Sequence, residues 1–179
     1  FLTILCFFII LTDCNMIQLS KLSNTMRDDM FYGFVNAFPV IVKKGSNTRL
    51  LLRTNKKSDK KVSLLIGNGS GHEPIAMGFV GRGLLDANVV GDVFAAPTSD
   101  LILEGIQEAY STAGSILLIS RHEGDVINGR DACLDAQDQG RDVRPFSMYD
   151  DTLRPAKGHE DTRGGARGPN YQHRLFSAP

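Results

Sequence analysis

The apolar run Val62-Ser63-Leu64-Leu65-Ile66 opens directly into Gly67-Asn68-Gly69-Ser70-Gly71-His72-Glu73-Pro74. The run predicts a buried strand over 62–66. Glycines at alternate positions permit positive φ and a close approach to the backbone, so 67–71 is predicted to form a turn that can receive a ligand. Successive N–H groups in such a turn can face an oxygen atom. Pro74 is tolerated in the first turn of a helix, which predicts a short apolar helix from Pro74 to Val80, closed by Gly81-Arg82-Gly83. This is not a Walker A loop, because no Lys-Ser or Lys-Thr pair follows the glycines. Nor is it the dinucleotide fingerprint, since His72 occupies the third glycine position. A strand running into an imidazole suits chemistry on a small polar molecule, although a tight turn with a surface histidine fits the same spacing.

Strands and helices alternate around this stretch. Met30, Phe31, Phe34, Val35 and Phe38 recur at helical spacing behind Asp28 and Asp29, and Pro39 stops the helix. Arg49–Arg53 predicts a short strand, and Lys56–Lys61 a solvated connector. Asn88–Phe94 is a second buried strand, after which Ser99 is the expected N-cap of a helix. In that helix Ile102, Ile106, Ala109 and Tyr110 face the core, and Gly114 ends it. Ser115–Ile119 predicts a strand, 126–139 a helix capped by Gly140, and Phe146–Tyr149 a last strand. Alternation of this kind predicts an α/β fold with a largely parallel sheet flanked by helices on both faces. Ligands bind such sheets at the carboxyl ends of the strands, where the loops after strands 62–66 and 115–119 would bring His72 and Asp125 to one pocket. Asp125 also suits a plain helix N-cap.

Composition removes several function classes. The 179 residues include 20 basic and 20 acidic side chains, so no charge excess points to nucleic acid. Cys6, Cys14 and Cys133 are scattered and odd in number, which builds neither a disulfide framework nor a CxxC metal site and suits a reducing, cytoplasmic compartment. Phe1–Leu11 is nearly all apolar but about half the length a membrane span requires. It lacks a basic flank and a small-residue cleavage site, so residues 1–25 are expected to be extraneous to the fold, with no membrane partner. From about Leu153 glycine and charge replace apolar residues, and 169–179 reads as an irregular tail. The domain is therefore expected to be incomplete at its C-terminus.

Three segments together resemble a known family. They are Gly67–Pro74 with the strand before it, Gly78-Phe79-Val80-Gly81-Arg82-Gly83, and Gly91-Asp92-Val93-Phe94-Ala95-Ala96-Pro97. They are similar to the substrate-binding K domain of dihydroxyacetone kinases, over about 26–168 and most strongly over 62–128. The resemblance implies a domain that binds a short ketose and phosphorylates its terminal hydroxyl. It implies that Gly69, Ser70, Gly71 and His72 form the substrate-binding turn, that His72 is the general base, and that Asp125 binds substrate hydroxyls. A carboxylate accepting from hydroxyls and an imidazole taking a proton agree with what those side chains can do. No cofactor would be bound by this chain. The donor, ATP with Mg or a phosphoprotein, would sit on a helical partner domain or subunit, and a homodimer is implied.

The sequence departs from the family in three places. Where the family has Lys-Asn-Tyr-Thr-Gly-Asp, this chain has Ser120-Arg121-His122-Glu123-Gly124-Asp125, so Ser120, Arg121 and His122 become candidates for specificity, and Arg121 and His122 as donors suit a longer sugar such as a four-carbon ketose; an exposed loop histidine serves equally for His122. The family's Gly-Gly-Gly is Gly67-Asn68-Gly69 here, a mild change because asparagine tolerates left-handed backbone. The family's second histidine, which holds the ketose carbonyl covalently, falls beyond the last matching residue, and neither His159 nor His173 has a suitable context. A fragment of such a kinase is thus the first expectation. A non-catalytic ketose-binding regulator on the same fold is the second, and an inactive remnant or misread frame the third.

Overall fold

A computed structural model describes residues 25–149 and 158–159. Cys6, Cys14, most of the 1–25 segment, His173 and the 169–179 tail lie outside the described residues. The element order is α1 (Met26–Ala37), β1 (Val42–Lys44), β2 (Leu50–Arg53), β3 (Ser63–Ser70), a 3-10 turn (Met77–Phe79) and β4 (Ala87–Val93). There follow α2 (Ser99–Ala109), β5 (Ser115–Ser120), α3 (Glu123–Asp138) and β6 (Val143–Met148).

The six strands form one sheet in the order β1-β2-β4-β3-β5-β6. Pairings β4–β3, β3–β5 and β5–β6 are parallel, while β1–β2 and β2–β4 are antiparallel. The sheet is therefore mixed: a parallel core carries an antiparallel hairpin at one edge. Val42–Lys44, the outer strand of that hairpin, carries a single buried residue and too short a pattern to be read from sequence.

Alternate side chains of the central strands feed two cores. On one face Ile66, Leu118 and Met148 pack with Phe31 of α1 and with Ile75, Met77 and Val80. On the other, Leu65, Leu117 and Val89 pack with Ile102 and Ile106 of α2 and Ala132 and Cys133 of α3. Helices thus cover both faces, as the strand–helix alternation predicts. Cys133 is buried, and burial pushes its thiol up to about 11.

Several local expectations are revised. The predicted helix from Pro74 to Val80 is only the 3-10 turn at Met77–Phe79, with Gly78 in its middle. Burying Ile75, Ala76, Met77 and Val80 against the sheet outweighs helix formation in so short a segment. Thr98, not Ser99, is the N-cap of α2, its hydroxyl accepting from the Leu101 N–H. That helix ends at Ala109, and Gly114, with φ +97°, belongs to the turn into β5. Among the described residues no helix is long and apolar enough to cross a membrane.

Candidate functional site at the carboxyl edge of the sheet

The strand order reverses at β3. From β3 the chain moves to β4 on one side, then crosses back to β5 on the other. Their carboxyl ends diverge there, which leaves the crevice in which α/β sheets bind ligands. His72, His122 and Asp125 line this crevice together with Asn68, Gly69 and Ser120. Phe94, Ala95 and Ala96, from the turn after β4, form its mouth with Gly124. The predicted meeting of His72 and Asp125 is therefore observed across more than fifty residues of chain.

The glycine segment is not the turn it was expected to be. β3 continues through Gly67, Asn68 and Gly69 to Ser70, paired with β4 across a bulge between Asn68 and Ser70. Among these glycines only Gly71 has positive φ, at +101°. The others serve close packing instead. A Cβ on Gly69 would meet the Ala95 backbone nitrogen and oxygen at 2.9 Å, and one on Gly67 would meet Ile102 at 3.0 Å. Two bare positions let the 94–97 turn lie directly against the end of β3. Gly71 is doubly constrained, because a Cβ there would also stand 2.7 Å from the Phe94 ring.

Each candidate residue has a definite setting. His72 is exposed; its ring meets Phe94 edge-on at 5.2 Å and lies 6.4 Å from the His122 ring. Ser70 is buried and its hydroxyl donates to the Gly91 carbonyl at 3.1 Å, so that side chain ties β3 to β4 and is not among the crevice lining. The Gly71 N–H donates to the Glu73 carboxylate at 2.9 Å. Arg121 stacks its guanidinium 4.4 Å above the Tyr149 ring.

Asp125 is the most constrained group. α3 starts at Glu123, three residues earlier than the periodicity predicts, so Asp125 lies inside the first turn and is not the N-cap; His122 holds that position. The Ser120 hydroxyl donates to Asp125 Oδ2, and His122 Nδ1 lies 3.5 Å from the same oxygen. The other oxygen, Oδ1, is buried with no hydrogen-bond partner. Burial raises this carboxyl above the ordinary carboxylate value, against the lowering effects of Ser120, His122 and His72. A buried carboxylate beside two imidazoles, with one unpartnered acceptor in a residue that lines the crevice, is suited to receive a hydroxyl.

Two lining residues escape a sequence reading. Phe94, at φ +55° and 73% exposed, reads as an ordinary apolar strand end, and only its place inside the Gly91–Pro97 motif hints at more. Asn68 reads as a residue tolerating left-handed backbone, yet it lies in β3, away from positive φ, with its side chain buried.

The fold is an α/β domain with a crevice at a topological switch point of its sheet. Residues 32–178 match the family described as the Dak1 domain. The chain belongs to the Dak1 family. It is 36% identical over 151 residues to the PTS-dependent dihydroxyacetone kinase 1, dihydroxyacetone-binding subunit DhaK of Listeria innocua, covering 84% of this chain and 46% of that one. It is 31% identical over 158 residues to the DhaKLM operon coactivator DhaQ of Lactococcus lactis, covering 83% and 48%. The solved dihydroxyacetone kinase from C. freundii in complex with AMP-PNP and Mg2+ superposes with a TM-score of 0.68 at 30% identity, covering 73% of this chain and 25% of that one. The chain thus spans about half the length of the curated relatives it matches.

Proposed function

We propose that the crevice binds dihydroxyacetone or a related short ketose, and that the whole protein phosphorylates its terminal hydroxyl. The observation that carries this reading is the convergence of Gly69, His72 and Asp125 on one crevice, with Asp125 Oδ1 buried and unpartnered. Family membership and the relatives' names point to the same substrate class. Asp125 accepts a hydrogen bond from a substrate hydroxyl. His72 takes the proton of the hydroxyl being phosphorylated as its oxygen bonds to phosphorus and the donor's phosphorus–oxygen or phosphorus–nitrogen bond breaks. Gly69 lines the crevice at the end of β3, where its bare Cα seats the Ala95 backbone that forms the mouth, and Gly71 provides the positive φ of the turn into His72. Ser120 fixes the Asp125 rotamer, while Arg121 and His122 bias the choice between three- and four-carbon ketoses.

The donor belongs to a helical partner domain or subunit, as ATP with Mg2+ or as a phosphoprotein. Among the described residues no group of three or more His, Cys, Asp or Glu side chains could hold a metal, and no step here runs through one. The same reading has the protein in the cytoplasm as a homodimer.

The test is phosphate transfer to dihydroxyacetone by the full-length protein, followed by 31P NMR with each class of donor. His72→Ala should lower kcat at least about a hundredfold, the contribution of a positioned base, while ketose binding persists. Transfer at the wild-type rate by that variant ends the proposal. A regulator reading is favoured by one observation: where the family carries its substrate-contacting lysine this chain has Ser120, whose hydroxyl donates to Asp125. Ketose binding with no transfer from either donor would establish it.

A further inference from the structure

A second residue of the crevice lining, Asn68, carries a buried acceptor without a partner. Asn68 is 7% exposed, and its Nδ2 donates to the Gly69 carbonyl at 2.9 Å and to the Ile75 carbonyl at 3.4 Å. Both partners are acceptors, so the amide has one orientation: reversing it would set Oδ1 against two carbonyl oxygens. With Nδ2 so placed, Oδ1 is buried and makes no hydrogen bond. Of the side chains that line the crevice with it, Ile66 and Ile75 are apolar, the Ser120 hydroxyl is given to Asp125, and neither the His72 nor the His122 imidazole bonds Asn68 Oδ1.

We infer that Asn68 is a specificity-determining residue whose Oδ1 accepts a hydrogen bond from a second hydroxyl of the bound ketose. This rests on the ketose reading and refines it. Asn68 of β3 and Asp125 of α3 line one crevice, each carries a buried Oδ1 without a hydrogen-bond partner, and each such acceptor demands a donor. A ketone bearing one hydroxyl satisfies one of them. A ketone with a hydroxyl on each side of the carbonyl satisfies both, one beside Asp125 and His72 and the other at Asn68. The site is thereby selective for dihydroxy over monohydroxy ketones of equal length.

The experiment is calorimetric titration of the full-length protein with dihydroxyacetone and with hydroxyacetone, for wild type and for Asn68→Ala. Wild type should prefer dihydroxyacetone by about tenfold or more, the size of one hydrogen bond to a buried acceptor. Asn68→Ala should lose most of that preference, with hydroxyacetone binding nearly unchanged. Because the alanine also removes two bonds to backbone carbonyls, a second measurement needs no variant: the Asn68 13Cγ resonance of the wild type should move on saturation with dihydroxyacetone and much less with hydroxyacetone. A preference retained in Asn68→Ala, or a 13Cγ resonance unmoved by dihydroxyacetone, overturns the role of Asn68. Binding of neither ketone by the wild type overturns the ketose reading itself.

Discussion

Gly91 lies in β4 beneath the turn that forms the mouth of the crevice, and Gly91→Ala is the sharpest test of how that mouth is built. A Cβ there would stand 2.8 Å from the Pro97 nitrogen, 3.0 Å from the Ala96 carbonyl carbon and closer still to the Ala95 oxygen. All three are backbone atoms, so no side chain can swing aside. Either the 94–97 turn withdraws or β4 moves away from it. Withdrawal strains the Phe94 N–H to Ser70 carbonyl bond at 2.8 Å and the Ala95 N–H to Asp92 carbonyl bond at 3.1 Å. Movement of β4 strains the Ser70 hydroxyl bond to the Gly91 carbonyl. Overpacking costs about 1–3 kcal/mol and each weakened bond about 1 kcal/mol. Alanine's smaller loss of backbone freedom returns about 0.5–1 kcal/mol. The expected loss is about 2–4 kcal/mol, read as a lower urea midpoint at unchanged slope, with weaker ketose binding because Ala95 and Ala96 are displaced. Stability within about 0.5 kcal/mol of wild type would refute the close seam between β4 and the turn.

Two further substitutions probe other parts of the molecule. Gly33, exposed in the middle of α1 with nothing within 4 Å of a Cβ, is the opposite case: Gly33→Ala should stabilise by about 0.5–1 kcal/mol in the same urea titration. Asp125→Asn should weaken ketose binding yet stabilise the protein near neutral pH by about 1–3 kcal/mol, since it removes a buried, half-satisfied charge. Its pH dependence follows from the raised carboxyl. A group whose folded value lies above its ordinary 3.8 favours the native state below that pH and loses this contribution as pH rises through the folded value. The stability gap between variant and wild type should therefore widen on going from about pH 4 to 7, and a gap independent of pH in thermal melts would count against the burial of Asp125.

Long-range periodicity is legible in this sequence, and close packing is not. The central strands, the three α-helices and the cover on both faces follow from apolar runs, helical spacing and strand–helix alternation. His72 and Asp125 follow from chemistry-bearing residues placed just after two strands. Gly67 and Gly69 mislead because a glycine needed for close approach looks the same in sequence as one needed for positive φ. Asn68 misleads for a related reason: its value lies in which carbonyls its amide reaches, the adjacent Gly69 and Ile75 seven residues on, and the second contact is set by tertiary structure. The start of α3 is obscured by Gly124, a poor helix former at which an added Cβ would stand 3.2 Å from the Ala96 side chain.

The central position of β3 has a dynamic consequence. It is paired on both sides, to β4 and to β5, through Leu65 and Ile66, so its amides have ladder partners in either direction. Strands of that kind open only in near-global unfolding, and their amides exchange with solvent among the slowest in a domain. Despite its glycines, the stretch that leads to His72 is thus anchored at its base in the slowest-exchanging part of the molecule. Motion is left to the residues beyond Ser70, where a ligand must enter and leave.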